Sequence, residues 1–120
     1  MIYTRPSMHT DYCLNGMQDF ICTSNVTYEI DNDMLHAVVQ MRSNDVVFGY
    51  KNDYAWQQTV LKRLHERLQN TYSDLEEGLI IWQVANLHIY KRHFYLLNHY
   101  MNTGETNISL KDYKTRYGNG

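Results

Sequence analysis

The feature that most constrains this chain is an alternation on either side of three consecutive polar residues. Val26, Tyr28 and Ile30 alternate with polar neighbours. Asp31, Asn32 and Asp33 interrupt them, and Leu35, Ala37, Val39 and Met41 alternate on the way back. A period of two places each set on one face of a strand. A run such as Asp-Asn-Asp between two alternating segments is a turn signal. The pattern predicts a β-hairpin over residues 20–41 that folds back at Asp31–Asp33. Pairing about a turn keeps the sum of paired positions nearly constant, which brings Cys22 and Arg42 to the same open end.

The period then changes. Trp56, Val60, Leu61, Leu64 and Leu68 mark one face of a helix over 54–68, with Asn52 or Asp53 where an N-cap belongs. Residues 69–78 read as a polar connection. "LIIWQVANLHIY", Leu79 to Tyr90, has the apolar density of a buried strand that turns polar at its end. "KRHFYLLNHYM" predicts a short helix with Phe94, Leu97 and Met101 on one side, stopped at Gly104. The polar tail after it holds at most one short strand. "MIYTRP" opens the chain in β-favouring residues that Pro6 breaks, and residues 7–19 read as a loop. An opening directly in a strand is expected of a chain that begins mid-domain. With 120 residues there is room for one modest domain, 1–120. The predicted fold class is α+β: a mixed β-sheet with helices packed on it.

Composition narrows the function classes. Eleven Lys and Arg against thirteen Asp and Glu give a net charge of −2, which argues against a nucleic-acid partner held by bulk charge. No apolar run approaches the roughly 20 residues of a membrane span. The two cysteines, Cys13 and Cys22, are too few for a disulfide scaffold, so reduced thiols in a cytoplasmic compartment are the default. The six histidines show no metal-ligand spacing, so no metal site is expected. Neither a P-loop nor G-x-G-x-x-G occurs. Eleven tyrosines fit a core, an edge or a partner-facing surface equally well.

Several residues carry chemistry, each with a plain alternative. Cys22 is either a small buried hydrophobe or a thiolate nucleophile, for which Arg42 is the available cation. Arg42 and Ser43 suit a phosphate, as guanidinium fork plus hydroxyl, or simply end a strand. Asp45 bonds a base edge or caps a turn. Asp53, on local grounds, is a helix N-cap. His88 and Tyr90, two residues apart on a strand, share a face. They suit a sugar hydroxyl or ordinary strand-end bonds.

Taken in order, Cys22, then Arg42-Ser43-x-Asp45, then Trp82 and His88-Ile89-Tyr90 on a later strand resemble the thymidylate synthase family. Within it the likeness is to the branch acting on deoxycytidylate (dCMP). "IYTRPSM", "MRSNDVVFGY", "NDYAWQ", "WQVANLHIYKRHF", "RHFYL" and "TGETNIS" carry it across essentially the whole chain, as the C-terminal half of the family's fold. A few extra residues around Gln69 to Leu79 are the one irregularity.

The resemblance implies Cys22 as nucleophile, with Arg42 and Ser43 on the 5′-phosphate and Asp45 against the pyrimidine. His88 and Tyr90 would take the deoxyribose 3′-hydroxyl. Asp53 stands where thymidylate synthases have asparagine. An amide complements uracil, whereas a carboxyl that shares a proton with N3 and accepts from N4 complements cytosine. The same shared proton withdraws electrons from the ring, so Asp53 would also act in catalysis. The co-substrate implied is the folate 5,10-methylenetetrahydrofolate, and the reaction is hydroxymethylation of dCMP at C5. The family's other half supplies a glutamate, an arginine pair and much of the folate site. A homodimer, a separate polypeptide carrying the N-terminal half, or both, would be the partners. A non-catalytic remnant, and a thymidylate synthase methylating dUMP, are the alternatives.

Overall fold

A computed structural model describes residues 1–3, 10 and 21–118. Cys13, Pro6 and, Thr10 apart, the loop expected over 7–19 lie outside the described residues.

The hairpin forms as the alternation requires. Strands β1 (Thr23–Asp31) and β2 (Met34–Met41) pair antiparallel, with Ile30 opposite Leu35 and Thr23 opposite Met41. Both turn residues, Asn32 and Asp33, have positive φ, 49° and 59°. Two left-handed residues match the twist of the strands, and Asn and Asp tolerate that region better than other side chains. Val26, Leu35, Ala37, Val39 and Met41 are buried on one face. Each larger aliphatic side chain buried this way contributes about 1.5–3 kcal/mol.

Helix α1 (Gly49–Leu68) carries the chain from β2 to β4 (Glu76–Val84). The latter pairs parallel with β2, setting Ala37 beside Ile80, Val39 beside Trp82 and Met41 beside Val84. Parallel neighbours need such a crossover. The sheet order is β1-β2-β4, so the sheet is mixed. Helix α1 lays Leu61, Leu64 and Leu68 on its core face. Between β2 and α1 lies the short β3 (Asn44–Asp45). It pairs parallel with β5 (Leu87–His88), the strand after β4. Residues Met1–Tyr3 run along β1: Tyr3 N–H donates to Ser24 O at 3.1 Å and Val26 N–H to Met1 O at 2.8 Å.

Four expectations need correction. The helix starts at Gly49 rather than 54, after Phe48, which caps with no side chain. Asp53 is thus inside the helix, in its second turn, and is not its N-cap. The cause is aromatic: Tyr50 and Tyr54, one turn apart, both pack on the Trp82 ring, at 5.8 and 5.7 Å. That contact extends the helix upstream. Trp56, expected on the packed stripe, is 56% exposed. Gln57 is buried in its place and donates Nε2–H to Tyr3 Oη at 3.2 Å. The apolar run Leu79–Tyr90 is not one buried strand. Its first part is the outer strand β4, whose Leu79 is 65% exposed; its second is β5, which ends at His88. Lastly, the tail is not a strand but a helix, α3 (Leu110–Tyr117). Ser109 caps it by accepting from Asp112 N–H at 3.1 Å and donating to the Asp112 carboxylate at 2.6 Å.

The chain divides into two compact units, Met1–His88 and Ile89–Gly120. In the second, a 3-10 turn (Lys91–His93) leads into α2 (Phe94–Thr103), which Gly104 ends at φ 75°. Helices α2 and α3 meet through Tyr95 on Tyr113 (5.7 Å) and His99 on Tyr117 (6.1 Å). Phe94, Leu97 and Met101, expected on one side of this helix, are exposed. No helix among the described residues is long and apolar enough to cross a membrane.

Candidate active site

One continuous stretch, Arg42–Asp45, reaches most of the candidate residues. It leaves the end of β2 and runs through β3, so the hairpin and the β3–β5 pair fix it from two sides.

The first contact is the one the pairing rule expects. Arg42 N–H donates to Cys22 O at 2.8 Å, continuing the hairpin ladder one pair past β1. The Arg42 guanidinium also donates from Nη2 to Cys22 Sγ at 3.7 Å. Cys22 is half-buried. A cation at sulfur and partial exposure are what nucleophilic cysteines share. Arg42 is exposed and borders a depression of about 390 Å³, lined by Ser24, Gln40, Gln83 and Ala85 among others. A guanidinium at the rim of an open, partly polar depression suits an anion. A second cavity, of about 410 Å³ against Tyr28, Trp56, Val60 and Leu64, holds none of the candidate residues.

The second contact joins the two short strands. Ser43 Oγ and the carbonyl oxygen of Asn86 both lie 3.3 Å from His88 Nδ1. A carbonyl can only accept. In the uncharged ring the proton therefore belongs on Nδ1, and Nε2 is the acceptor. Asn44 N–H donates to Asn86 O at 3.0 Å, and Val46 N–H to His88 O at 2.9 Å, which locks β3 against β5.

Asp45 has the turn-capping geometry. Its Oδ1 accepts from Val47 N–H at 3.3 Å and its Oδ2 from Phe48 N–H at 3.2 Å. The carboxylate thereby shapes the approach to α1.

Asp53 is half-buried on the inner side of α1. Burial raises its carboxyl pKa above the ordinary 3.8, and the hydrogen bond from Asn44 opposes that rise. Asn44 Nδ2 donates to Asp53 Oδ2 at 2.7 Å. Sequence reasoning missed Asn44, which is 2% exposed. The available signal was weak: a polar residue inside "RSNDVV", five positions before a glycine.

Tyr90 does not continue a strand from His88. It is the N-cap of the 3-10 turn, in the second unit. The Arg92 guanidinium lies over its ring at 4.3 Å, and His93 meets the ring edge-on at 6.2 Å. The shared-face argument for His88 and Tyr90 therefore lapses, since β5 ends at His88.

Comparison with known proteins bears on what this cluster serves. The thymidylate synthase family model matches residues 7–115. Deoxycytidylate 5-hydroxymethyltransferase of Enterobacteria phage T4 is 55% identical over 119 residues, 98% of this chain and 48% of that protein. The T2 protein of the same name is 56% identical over 115 residues, 94% of this chain and 47% of that protein. The chain thus spans about half the length of the curated relatives it matches. The family match covers nearly all of it, and the mixed sheet, crossover helix and Cys22–Arg42 pairing agree with an α+β fold: the chain belongs to the thymidylate synthase family.

Proposed function

We propose that this chain forms the nucleotide-binding portion of a deoxycytidylate 5-hydroxymethyltransferase. It would act on dCMP with 5,10-methylenetetrahydrofolate as the one-carbon donor. The observation that carries the choice of base is Asp53. A half-buried carboxyl with a raised pKa is able to hold a proton and share it with cytosine N3, while its other lone pairs accept from N4. Uracil offers the reverse pattern, N3–H and O4, which an amide complements.

In this reading Cys22 Sγ adds to C6 of dCMP, and the electron pair of the C5–C6 bond makes C5 nucleophilic. C5 attacks the methylene carbon of the folate. Loss of the C5 proton and of tetrahydrofolate leaves an exocyclic methylene at C5. Water adds to that carbon, Cys22 leaves from C6, and 5-hydroxymethyl-dCMP results. Asp53 lends its proton to N3 as Sγ adds and takes it back as Sγ leaves. Arg42 and Ser43 take the 5′-phosphate, Asp45 lies by the pyrimidine, and His88 takes the 3′-hydroxyl. A homodimer, a polypeptide carrying the N-terminal half, or both, supply the folate side. The setting is the cytoplasm, that of the host where the gene is a phage's.

The test mixes the chain with a polypeptide carrying the N-terminal half of the T4 relative. Folate-dependent release of tritium from C5 is then measured for dCMP and for dUMP. Release from dCMP, lost in Cys22→Ser, is the expected result. No release from either nucleotide, or preference for dUMP, refutes the proposal.

A further inference from the structure

The Asp53 carboxyl needs more than the right proton affinity to choose a base. It must also present its oxygens in one plane, and a carboxyl on a helix turns readily about its last side-chain bond. We infer that Asn44 is the positioning residue that fixes the Asp53 carboxyl for reading the base. This inference rests on the proposed role of Asp53 and goes one residue beyond it.

The geometry supports it at three points. The Asn44 amide donates to Asp53 Oδ2 at 2.7 Å, from a side chain that is 2% exposed. One lone pair of Oδ2 is thereby engaged. Oδ1 and the remaining lone pair of Oδ2 are what a base edge can meet. The amide is itself held at its backbone, because Asn44 N–H donates to Asn86 O at 3.0 Å and Asn44 pairs with Leu87 across β3 and β5. The donor that orients Asp53 is thus anchored to the strand carrying His88. Thirdly, α1 leaves room for the amide by beginning with glycine. A Cβ on Gly49 would sit 3.3 Å from Asn44 Nδ2 and 3.7 Å from Asp53 Oδ2.

The choice of amide is informative. Asn44 Oδ1 is buried and has no hydrogen-bond partner among the described residues. An unmatched buried acceptor is unfavourable for folding, so the residue is poorly explained by packing. Its use lies in the N–H₂. A lysine or arginine at this place would also donate, but its charge would hold the carboxyl ionised. An uncharged donor orients Asp53 and leaves it able to carry the proton that N3 shares. This assigns Asn44 to base selection without contact with the nucleotide.

The experiment uses the complemented enzyme described above. The ratio of kcat/KM for dCMP to that for dUMP is measured for the parent, Asn44→Ala, Gly49→Ala and Asp53→Asn. Asn44→Ala is expected to lower the ratio roughly 10-fold, the size of one charge-assisted hydrogen bond. The loss should fall on kcat for dCMP, because a turned carboxyl protonates N3 poorly, and KM should change less. Gly49→Ala crowds the amide without deleting it. It should lower the ratio while the unfolding midpoint holds or rises, since alanine favours a helix over glycine. It also answers the question if Asn44→Ala does not fold. An unchanged ratio in the Asn44 and Gly49 variants, with a shifted ratio in Asp53→Asn, overturns the role of Asn44 and leaves that of Asp53 standing. An unchanged ratio in Asp53→Asn removes both.

Discussion

Replacing Asp53 by asparagine should turn this site from cytosine toward uracil, and the structure says how far. Asn44 Nδ2 donates to the residue-53 side chain at 2.7 Å. In the variant that donor still needs an acceptor, so the new amide places its oxygen there and its NH₂ on the other side. The amide then lies in one fixed sense, with one acceptor and one donor along its edge. That edge complements N3–H and O4 of uracil. Against cytosine it sets acceptor beside acceptor and donor beside donor. Each unmatched polar group costs about 1–3 kcal/mol when buried. Asp53 is only half-buried, which screens part of that cost, so the two mismatches together should amount to about 1.5–3 kcal/mol. The expected shift in relative kcat/KM is then roughly 10- to 100-fold toward dUMP. The assay is competitive tritium release from C5 with both nucleotides present. A ratio that moves by less than about threefold, under 1 kcal/mol, would refute the reasoning. Base choice would then be made by another residue.

The same variant should show a pH signature in stability. The folded pKa of Asp53 is raised, so ionisation disfavours the fold, and the stability tied to its protonated form is lost as pH rises through that value. Asp53→Asn should gain stability over the parent at neutral pH and lose that gain below 3.8, as followed by urea unfolding across the acid range. Tyr28 offers a second case. Burial, with a lesser contribution from Tyr3, raises its pKa from 10.0 to about 12, and its hydroxyl is buried without a hydrogen-bond partner among the described residues. Tyr28→Phe should stabilise the fold by roughly 1 kcal/mol at neutral pH. It should also flatten the alkaline loss of stability between 10.0 and about 12, measured by denaturant midpoints. Gly78 sits where β2 and β4 slip register between Leu35 and Ala37. A Cβ there would lie 2.7 Å from Leu35 O and 2.6 Å from His36 Nδ1, the acceptor of Leu79 N–H. Gly78→Ala should lower stability by about 1–3 kcal/mol, because backbone cannot yield; an unchanged melting temperature would count against that packing.

Much of the site's framework was legible because it depends on local pattern. The alternation around Asp31–Asp33 specified both strands and their register, and register alone brought Arg42 to Cys22. The helix was legible in type but not in its start. Tyr50 and Tyr54 extend it by packing on Trp82, which is distant in sequence. Burial of the run Leu79–Val84 was misjudged for a related reason. Apolar density fits a strand in the middle of a sheet, but β4 is the outer strand of the described sheet, and one of its faces is open. The tail helix was readable in principle, since Ser109 and Asp112 have capping spacing. Asn44 was not readable. Its partner lies nine positions on, and only the turn capped by Asp45 returns the chain to meet it.

The two strand pairings that build the site also differ in how the chain must find them. The Cys22–Arg42 contact spans 20 residues and is closed by the hairpin itself. The Ser43–His88 contact spans 45, and must await both the helix and the parallel docking of β4. Loop-closure entropy separates the two by only roughly 0.7 kcal/mol, but parallel, non-local pairing is slow compared with hairpin formation. The thiol and its guanidinium should therefore come together early in folding and survive late in unfolding, whereas His88 arrives last and departs first. A mildly destabilised form of this protein would keep Cys22 against Arg42 after His88 has parted from Ser43.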